Sequence, residues 1–171
     1  MSKKALFLDR DGVINKEINY LHKIEDFEFI EGIFDLCHFY QAKGYLIIVV
    51  TNQSGIARGY YTHEQFDTLT SWMIEEFSKN GIKLDKVYYC PHHPDISGAC
   101  KCRKPDIGMF KEAQNELDID LESSVMVGDN ERDIEAALKA GISDTYFFDE
   151  YNKITNSKAA KIVHRLDEIY R

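Results

Sequence analysis

The sequence predicts an α/β domain with a doubly wound, mostly parallel sheet, a Rossmann-like core without a separate cap domain. Three observations predict it. Short apolar runs alternate with helical stretches along the chain. One of those runs, "YLIIVV" (45–50), is β-branched and unbroken, as central parallel strands tend to be. Acidic or polar residues then follow the strands directly, at the sheet edge where ligands bind in such folds. At 171 residues and 44% hydrophobic, the chain is long enough for one buried core and short for two. No internal repeat or low-complexity linker divides it, so residues 1–171 are expected to form a single domain.

The elements follow in order. "ALFLD" (5–9) reads as the first buried strand and ends on an acid. "EGIFDLCHFYQAKG" (31–44) has Ile33, Phe34, Cys37 and Tyr40 at helical spacing and Gly44 as its stop. Cys37 sits on this apolar stretch as a small core residue. After strand 45–50, "THEQFDTLTSWMIEEFSKNG" (62–81) opens with the capping pair Thr62 and Gln65. Its stripe is Phe66, Leu69, Met73 and Phe77, and Gly81 ends it. "KVYYC" (86–90) is a third strand and "DIGMFKEAQNEL" (106–117) a third helix. "SVMVGD" (124–129), "RDIEAALKAG" (132–141) and "TYFFD" (145–149) complete the alternation as strand, helix and strand. The tail "SKAAKIVHRLDEIYR" (157–171) is predicted to be an amphipathic helix, with Ala159, Val163, Leu166 and Tyr170 on one face.

The net charge of -8 argues against general nucleic-acid binding, and an anionic substrate must be drawn in by local cations. No apolar run approaches the roughly 20 residues that span a bilayer. "MSKKALFLD" lacks the long apolar segment of a signal peptide, so a cytoplasmic protein with no membrane partner is expected.

The strand ends collect the chemistry. The first supplies Asp9 and Asp11, the second Thr51 and Asn52, and the fourth Gly128 and Asp129, with Asp133 a turn later. Arg103 and Lys104 precede the third helix. Crowded carboxylates are stabilised most directly by an oxygen-ligated divalent cation such as Mg²⁺ together with a phosphate. A carboxylate held there can attack phosphorus, a second can move the proton, and Thr51 and Lys104 suit the phosphoryl oxygens. A phosphoacceptor signalling module of the receiver type uses similar groups, but its acceptor resembles a residue ending the third strand, where this chain has Cys90. Phosphate binding without turnover is allowed by the same residues. Arg10, between the two acids, has no role that the sequence assigns.

"FLDRDGV" (7–13), "VVTNQSG" (49–55), "CRKP" (102–105) and "VGDNERD" (127–133) resemble, in order, the four motifs of the haloacid-dehalogenase-like (HAD) phosphatases. The resemblance covers residues 5–150. It implies Asp9 as nucleophile, Asp11 as general acid/base, and Thr51 and Lys104 orienting the phosphoryl group. It further implies Mg²⁺ held by Asp9, the Asp11 backbone carbonyl and Asp129, with Asp133 either reaching the metal through water or anchoring Lys104. Val13 departs from the threonine common in the family. No segment is left over for a cap, so loops 15–22, 53–61 and 91–103 should wall the site.

"CPHHPDISGACKCRKP" (90–105) offers three cysteines and two histidines, a density that suggests a tetrahedral structural zinc site more than a disulfide. Spacing permits either His92 or His93. Resemblance to zinc-loop phosphatases selects Cys90, His92, Cys100 and Cys102, in a zinc loop spanning 90–102.

Within that capless, zinc-loop group the resemblance implies one of two small-molecule substrates, a heptose 1,7-bisphosphate or histidinol phosphate. "VVTNQSGIARGYYTHEQF" (49–66) favours the sugar bisphosphate, dephosphorylated at C7 on the way to nucleotide-activated heptose for surface polysaccharide. Arg58 and Arg103 suit a second phosphate. By the same resemblance Glu17, Ile18, Asn19, Tyr20, Asn52, Gln53, Ser54 and Asn130 are expected around the substrate. The enzyme is expected to be a monomer.

Overall fold

The computed structural model describes residues 2–171 and shows a six-stranded, all-parallel sheet. Its strands are β1 (Ala5–Leu8), β2 (Leu46–Asn52), β3 (Lys86–Cys90), β4 (Val125–Gly128), β5 (Asp144–Phe148) and β6 (Lys161–Val163), in spatial order β3-β2-β1-β4-β5-β6. Four helices connect them: α1 (Ile33–Ala42), α2 (His63–Lys79), α3 (Gly108–Leu117) and α4 (Glu131–Ala140).

Side chains alternate across the sheet with the strand period of two. Leu6, Leu8, Ile47, Val49, Val125 and Val127 face one core, packed under Leu36 and Cys37 of α1 and Leu69, Met73 and Phe77 of α2. Phe7, Ile48, Val50 and Met126 face the other, under Met109 and Phe110 of α3 and Ala136 and Ala137 of α4. Both faces of the central strands are covered, which is why they read as unbroken apolar runs. The capping box predicted for α2 forms: Thr62 Oγ1 accepts from Gln65 N at 3.1 Å and Gln65 Oε1 accepts from Thr62 N at 2.9 Å. Cys37 is fully buried, and burial pushes its thiol pKa well up.

The tail corrects the expectation. It is no helix: residues 161–163 form β6, parallel to β5 with Phe148 opposite Val163, followed by a short 3-10 turn at Leu166–Glu168. The free edge of β5 offers a row of backbone hydrogen-bonding groups that a helix would leave unpaired. Val163 and Leu166 are still buried, as their spacing suggests, but against the sheet and α1. His164 accordingly follows a strand and not a helical turn, with Nδ1 2.9 Å from the Asp149 carbonyl. Among the described residues no helix is long and apolar enough to cross a membrane.

Strand order reverses beside β1: α1 leaves it toward one core while α4 leaves β4 toward the other. The crevice beyond the carboxyl ends of β1 and β4 is where such sheets bind ligands.

Candidate active site

A cavity of about 360 Å³ occupies that crevice. Asp9, Asp11, Lys104, Asp129 and Asp133 line it, so the acids and the lysine collected from three of the four motifs meet in one place. The turn after β1 makes this possible. Val13, Ile14 and Asn15 backbone N–H groups all converge on the Arg10 carbonyl, and Gly12 takes φ +88°. A Cβ at Gly12 would lie 1.8 Å from Asp129 Oδ2, so only glycine lets the β1 and β4 loops approach this closely. Val13, where the family often has threonine, is fully buried in the core.

Lys104 is the electrostatic centre. Its Nζ sits 3.2 Å from Asp9 Oδ1 and 2.7 Å from Asp133 Oδ1, and donates to the Val50 carbonyl at 2.8 Å. Burial alone would lower its pKa, but Asp133 and Asp9 outweigh that and hold it raised, so the ammonium persists. One positive charge does not neutralise three acids. Burial, then Asp133, pushes Asp9 well above the usual carboxylate range, and the same two causes push Asp129 up to about 7. Glu17, on the cavity wall, rises to about 7 through burial and the nearby Asp11 and Asp9.

Oxygens of Asp9, Asp129 and Asp133 lie within 4.8 Å of one another, a hard-oxygen donor set suited to a divalent cation. Asp133 has the less free carboxylate: Oδ1 pairs with Lys104 and Oδ2 accepts from Asn130 N at 3.1 Å, closing the α4 capping box. Of its two expected roles, the structure therefore displays the Lys104 anchor.

The walls come from the expected loops. Residues Glu17, Asn19 and Tyr20 supply one, Gln53, Ser54 and Arg58 another, and Arg103 a third. Asn52 and Asn130 also line the cavity, although both are engaged. Asn52 exchanges two hydrogen bonds with the Lys104 backbone at 3.0 and 3.2 Å, and Asn130 caps α4 through Arg132 N. Two expected residues are not in the lining. Ile18 is 45% exposed, and Thr51 is buried, joined to the lining through Gln53 Nε2 at 3.0 Å. Three lining residues escaped the sequence reading: Gly55, Tyr61 and Arg132. Arg132 could have been found, since it follows Asn130 in the first turn of the helix that starts at the site. With Arg58 and Arg103 it brings three guanidiniums to one cavity. Burial, then Arg132, lower the Arg103 pKa, with Arg58 adding to the shift and Cys100 opposing it.

In the loop after β3 the sulfurs of Cys90, Cys100 and Cys102 lie within 4.8 Å of one another. In two details the group differs from the expected zinc set. Cys90 and Cys102 are paired sulfur to sulfur as a disulfide, with Cys100 Sγ 3.6 Å from Cys90 Sγ. His92 is not in the group. The returning limb is pinned where Gly108 N donates to the Lys101 carbonyl at 2.8 Å, which brings Cys100 and Cys102 back over Cys90. His92 lies on the outgoing limb, and its carbonyl accepts from Arg103 Nη1 at 3.3 Å.

An acid pair, a buried lysine and further acids beyond the edge of a doubly wound sheet match the arrangement of a phosphoryl-transfer hydrolase of the HAD class. The HAD-hydrolase-like family model matches residues 101–145. The chain is 50% identical over 153 residues to the D-glycero-alpha-D-manno-heptose-1,7-bisphosphate 7-phosphatase of Campylobacter jejuni, covering 90% of this chain and 87% of the relative. It is 46% identical over 174 residues to the D-glycero-beta-D-manno-heptose-1,7-bisphosphate 7-phosphatase of Vibrio cholerae, covering 99% and 94%. The solved D,D-heptose 1,7-bisphosphate phosphatase of B. bronchiseptica, complexed with magnesium and phosphate, superposes with a TM-score of 0.83 at 27% identity, over 95% of this chain and 93% of that one. The chain belongs to the heptose-1,7-bisphosphate phosphatase family of HAD-like hydrolases.

Proposed function

We propose that this enzyme removes the C7 phosphate of D-glycero-D-manno-heptose 1,7-bisphosphate through an aspartyl-phosphate intermediate, in the making of nucleotide-activated heptose. The observation that carries the reading is a cavity with two charge regimes. Acids and Lys104 gather at the strand ends, and Arg58, Arg103 and Arg132 are available to a second phosphate on the same molecule. Histidinol phosphate has one phosphate and leaves those arginines without a partner.

In this mechanism an Asp9 oxygen attacks phosphorus as the ester P–O bond breaks, and the leaving oxygen takes a proton from Asp11. Water then gives a proton to Asp11 and attacks phosphorus, breaking the Asp9–phosphate bond and releasing inorganic phosphate. Lys104 balances the phosphoryl charge while Thr51 orients it. Asp9, Asp129 and the Asp11 carbonyl would hold Mg²⁺, which would supply charge neutralisation at the transferred group.

Phosphate release should be faster, by kcat/KM, from heptose 1,7-bisphosphate than from histidinol phosphate, and Asp9→Asn should abolish it. A preference for histidinol phosphate would overturn the substrate assignment. Steady release also separates an enzyme from a phosphoacceptor or a binding module. Relatives named for either anomer match at similar identity, so both anomers belong in the assay.

The cysteine group is proposed to hold structural zinc, with the Cys90–Cys102 pair opened to two thiolates. A disulfide needs two sulfurs, whereas a third beside the pair suits a thiolate metal site. A Zn–S bond of about 2.3 Å gives tetrahedral sulfurs roughly 3.8 Å apart, close to the Cys90–Cys100 distance. Zinc stoichiometry should approach one in the purified enzyme and fall in Cys100→Ser; unchanged zinc in the variant would remove the proposal.

A further inference from the structure

Asp11 is held from three directions. Arg10, only 1% exposed, donates through Nε and Nη2 to Asp11 Oδ1 at 3.1 and 2.9 Å, and Nη2 also donates to the Leu21 carbonyl at 3.0 Å. Asn15 Nδ2 donates to the same Oδ1 at 3.0 Å. Gln53 Nε2 donates to Oδ2 at 3.1 Å and to Thr51 Oγ1 at 3.0 Å. The Tyr61 hydroxyl in turn donates to Gln53 Oε1, and the Tyr61 ring stacks on His22 with centroids 5.1 Å apart. The two Nε2 hydrogens and the Oε1 acceptor of Gln53 are thus all engaged, which fixes the amide in one orientation.

The two oxygens of Asp11 differ as a result. Three donors surround Oδ1, whereas Oδ2 receives Gln53 and a longer contact of 3.2 Å from Arg10 Nη2. Oδ2 is the oxygen with capacity left for a proton. The Thr51 hydroxyl accepts from Gln53 and donates at 3.5 Å to the Asn52 carbonyl, so Gln53 is also tied to the second strand end.

We propose that Gln53, fixed by Tyr61, is a positioning residue that aims Asp11 Oδ2 at the ester oxygen. This reassigns Gln53 from the sugar contact expected of it, and it rests on the phosphatase reading above. The proton concerned is the one that Asp11 Oδ2 passes to the leaving oxygen as the Asp9–phosphorus bond forms and the ester P–O bond breaks. A leaving alkoxide needs that proton, whereas p-nitrophenolate leaves without it.

Gln53→Met keeps the length of the side chain and removes the amide. In a single turnover it should slow release of the alcohol from heptose 1,7-bisphosphate by roughly 10- to 100-fold and of p-nitrophenolate by less than about threefold, with each KM within about twofold. Tyr61→Phe, which removes one hydroxyl from the buried network, should show the same leaving-group dependence at about a tenth of the size, and serves if Gln53→Met folds poorly. Equal losses on the two esters would make the role structural and overturn the proposal. So would a raised KM with unchanged kcat, which would return Gln53 to the sugar. If the unmodified enzyme hydrolyses neither ester, the phosphatase reading itself falls, and this role with it.

Discussion

Two acids two residues apart do different work because their neighbours differ. Asp9 directly follows β1, with Oδ1 fixed by Arg10 N at 2.8 Å and Lys104 at 3.2 Å. Asp11 lies inside the turn, held by Arg10, Asn15 and Gln53 and away from Lys104. The spacing in the sequence announces the pair; the side chains that divide the labour come from residues 15, 53 and 104. Lys104 tests this at the residue scale. Removing one partner of a buried ion pair leaves charge uncompensated, at a cost of about 3–5 kcal/mol. Lys104→Met should therefore unfold at lower denaturant in metal-free buffer at pH 8, and less so at pH 5, where the neighbouring Asp129, pushed up to about 7, is protonated. Its phosphate release should fall at least a hundredfold. Unchanged stability at both pH values would contradict the role given to the pair.

The β–α alternation was legible element by element because local rules and tertiary contacts agree. α2 is the clearest case: Thr62, Gln65 and the Phe66-Leu69-Met73-Phe77 stripe specify cap and buried face before any partner is known. Thr62→Ala should cost about 1 kcal/mol in chemical denaturation, with no change in kcat, since the cap serves the helix and does not line the cavity. The tail failed for the opposite reason. Val163 and Leu166 are apolar at a spacing that a helix shares with a short strand and turn, and the unpaired edge of β5 decided between them. The cysteine loop failed in part because spacing places ligands on a loop without saying which side chains its path brings inward. Gly108 at the return and Arg103 on the His92 carbonyl determine that.

Across the whole molecule the acid cluster links pH, metal and stability. Asp129, pushed up to about 7 by burial and Asp133, and Asp9, raised by the same causes, bind more protons folded than unfolded at mildly acid pH. Since stability rises with pH only where the unfolded state binds more protons, it must fall here as pH rises from about 4 to 7. Metal-free enzyme should thus melt at lower temperature at pH 7.5 than at pH 5.5. Millimolar Mg²⁺ should raise the melting temperature more at pH 7.5, where the carboxylates are ionised. A melting temperature that climbs with pH in EDTA would refute the coupling. The net charge of -8 makes the three arginines the local exception that an anionic substrate requires.

The sequence by itself determined the doubly wound fold and the residues at the strand ends, because strand period, helix stripes and caps are local properties and motif order follows chain order. Tertiary structure alone decided which groups share a carboxylate. Arg10 turned from an unassigned cation into the clamp on Asp11, Asp133 became the anchor of Lys104, and Arg132 joined Arg58 and Arg103. Each of those outcomes depends on side-chain direction at the place where β1, β2 and β4 end side by side, and direction is set by packing among residues distant in the chain.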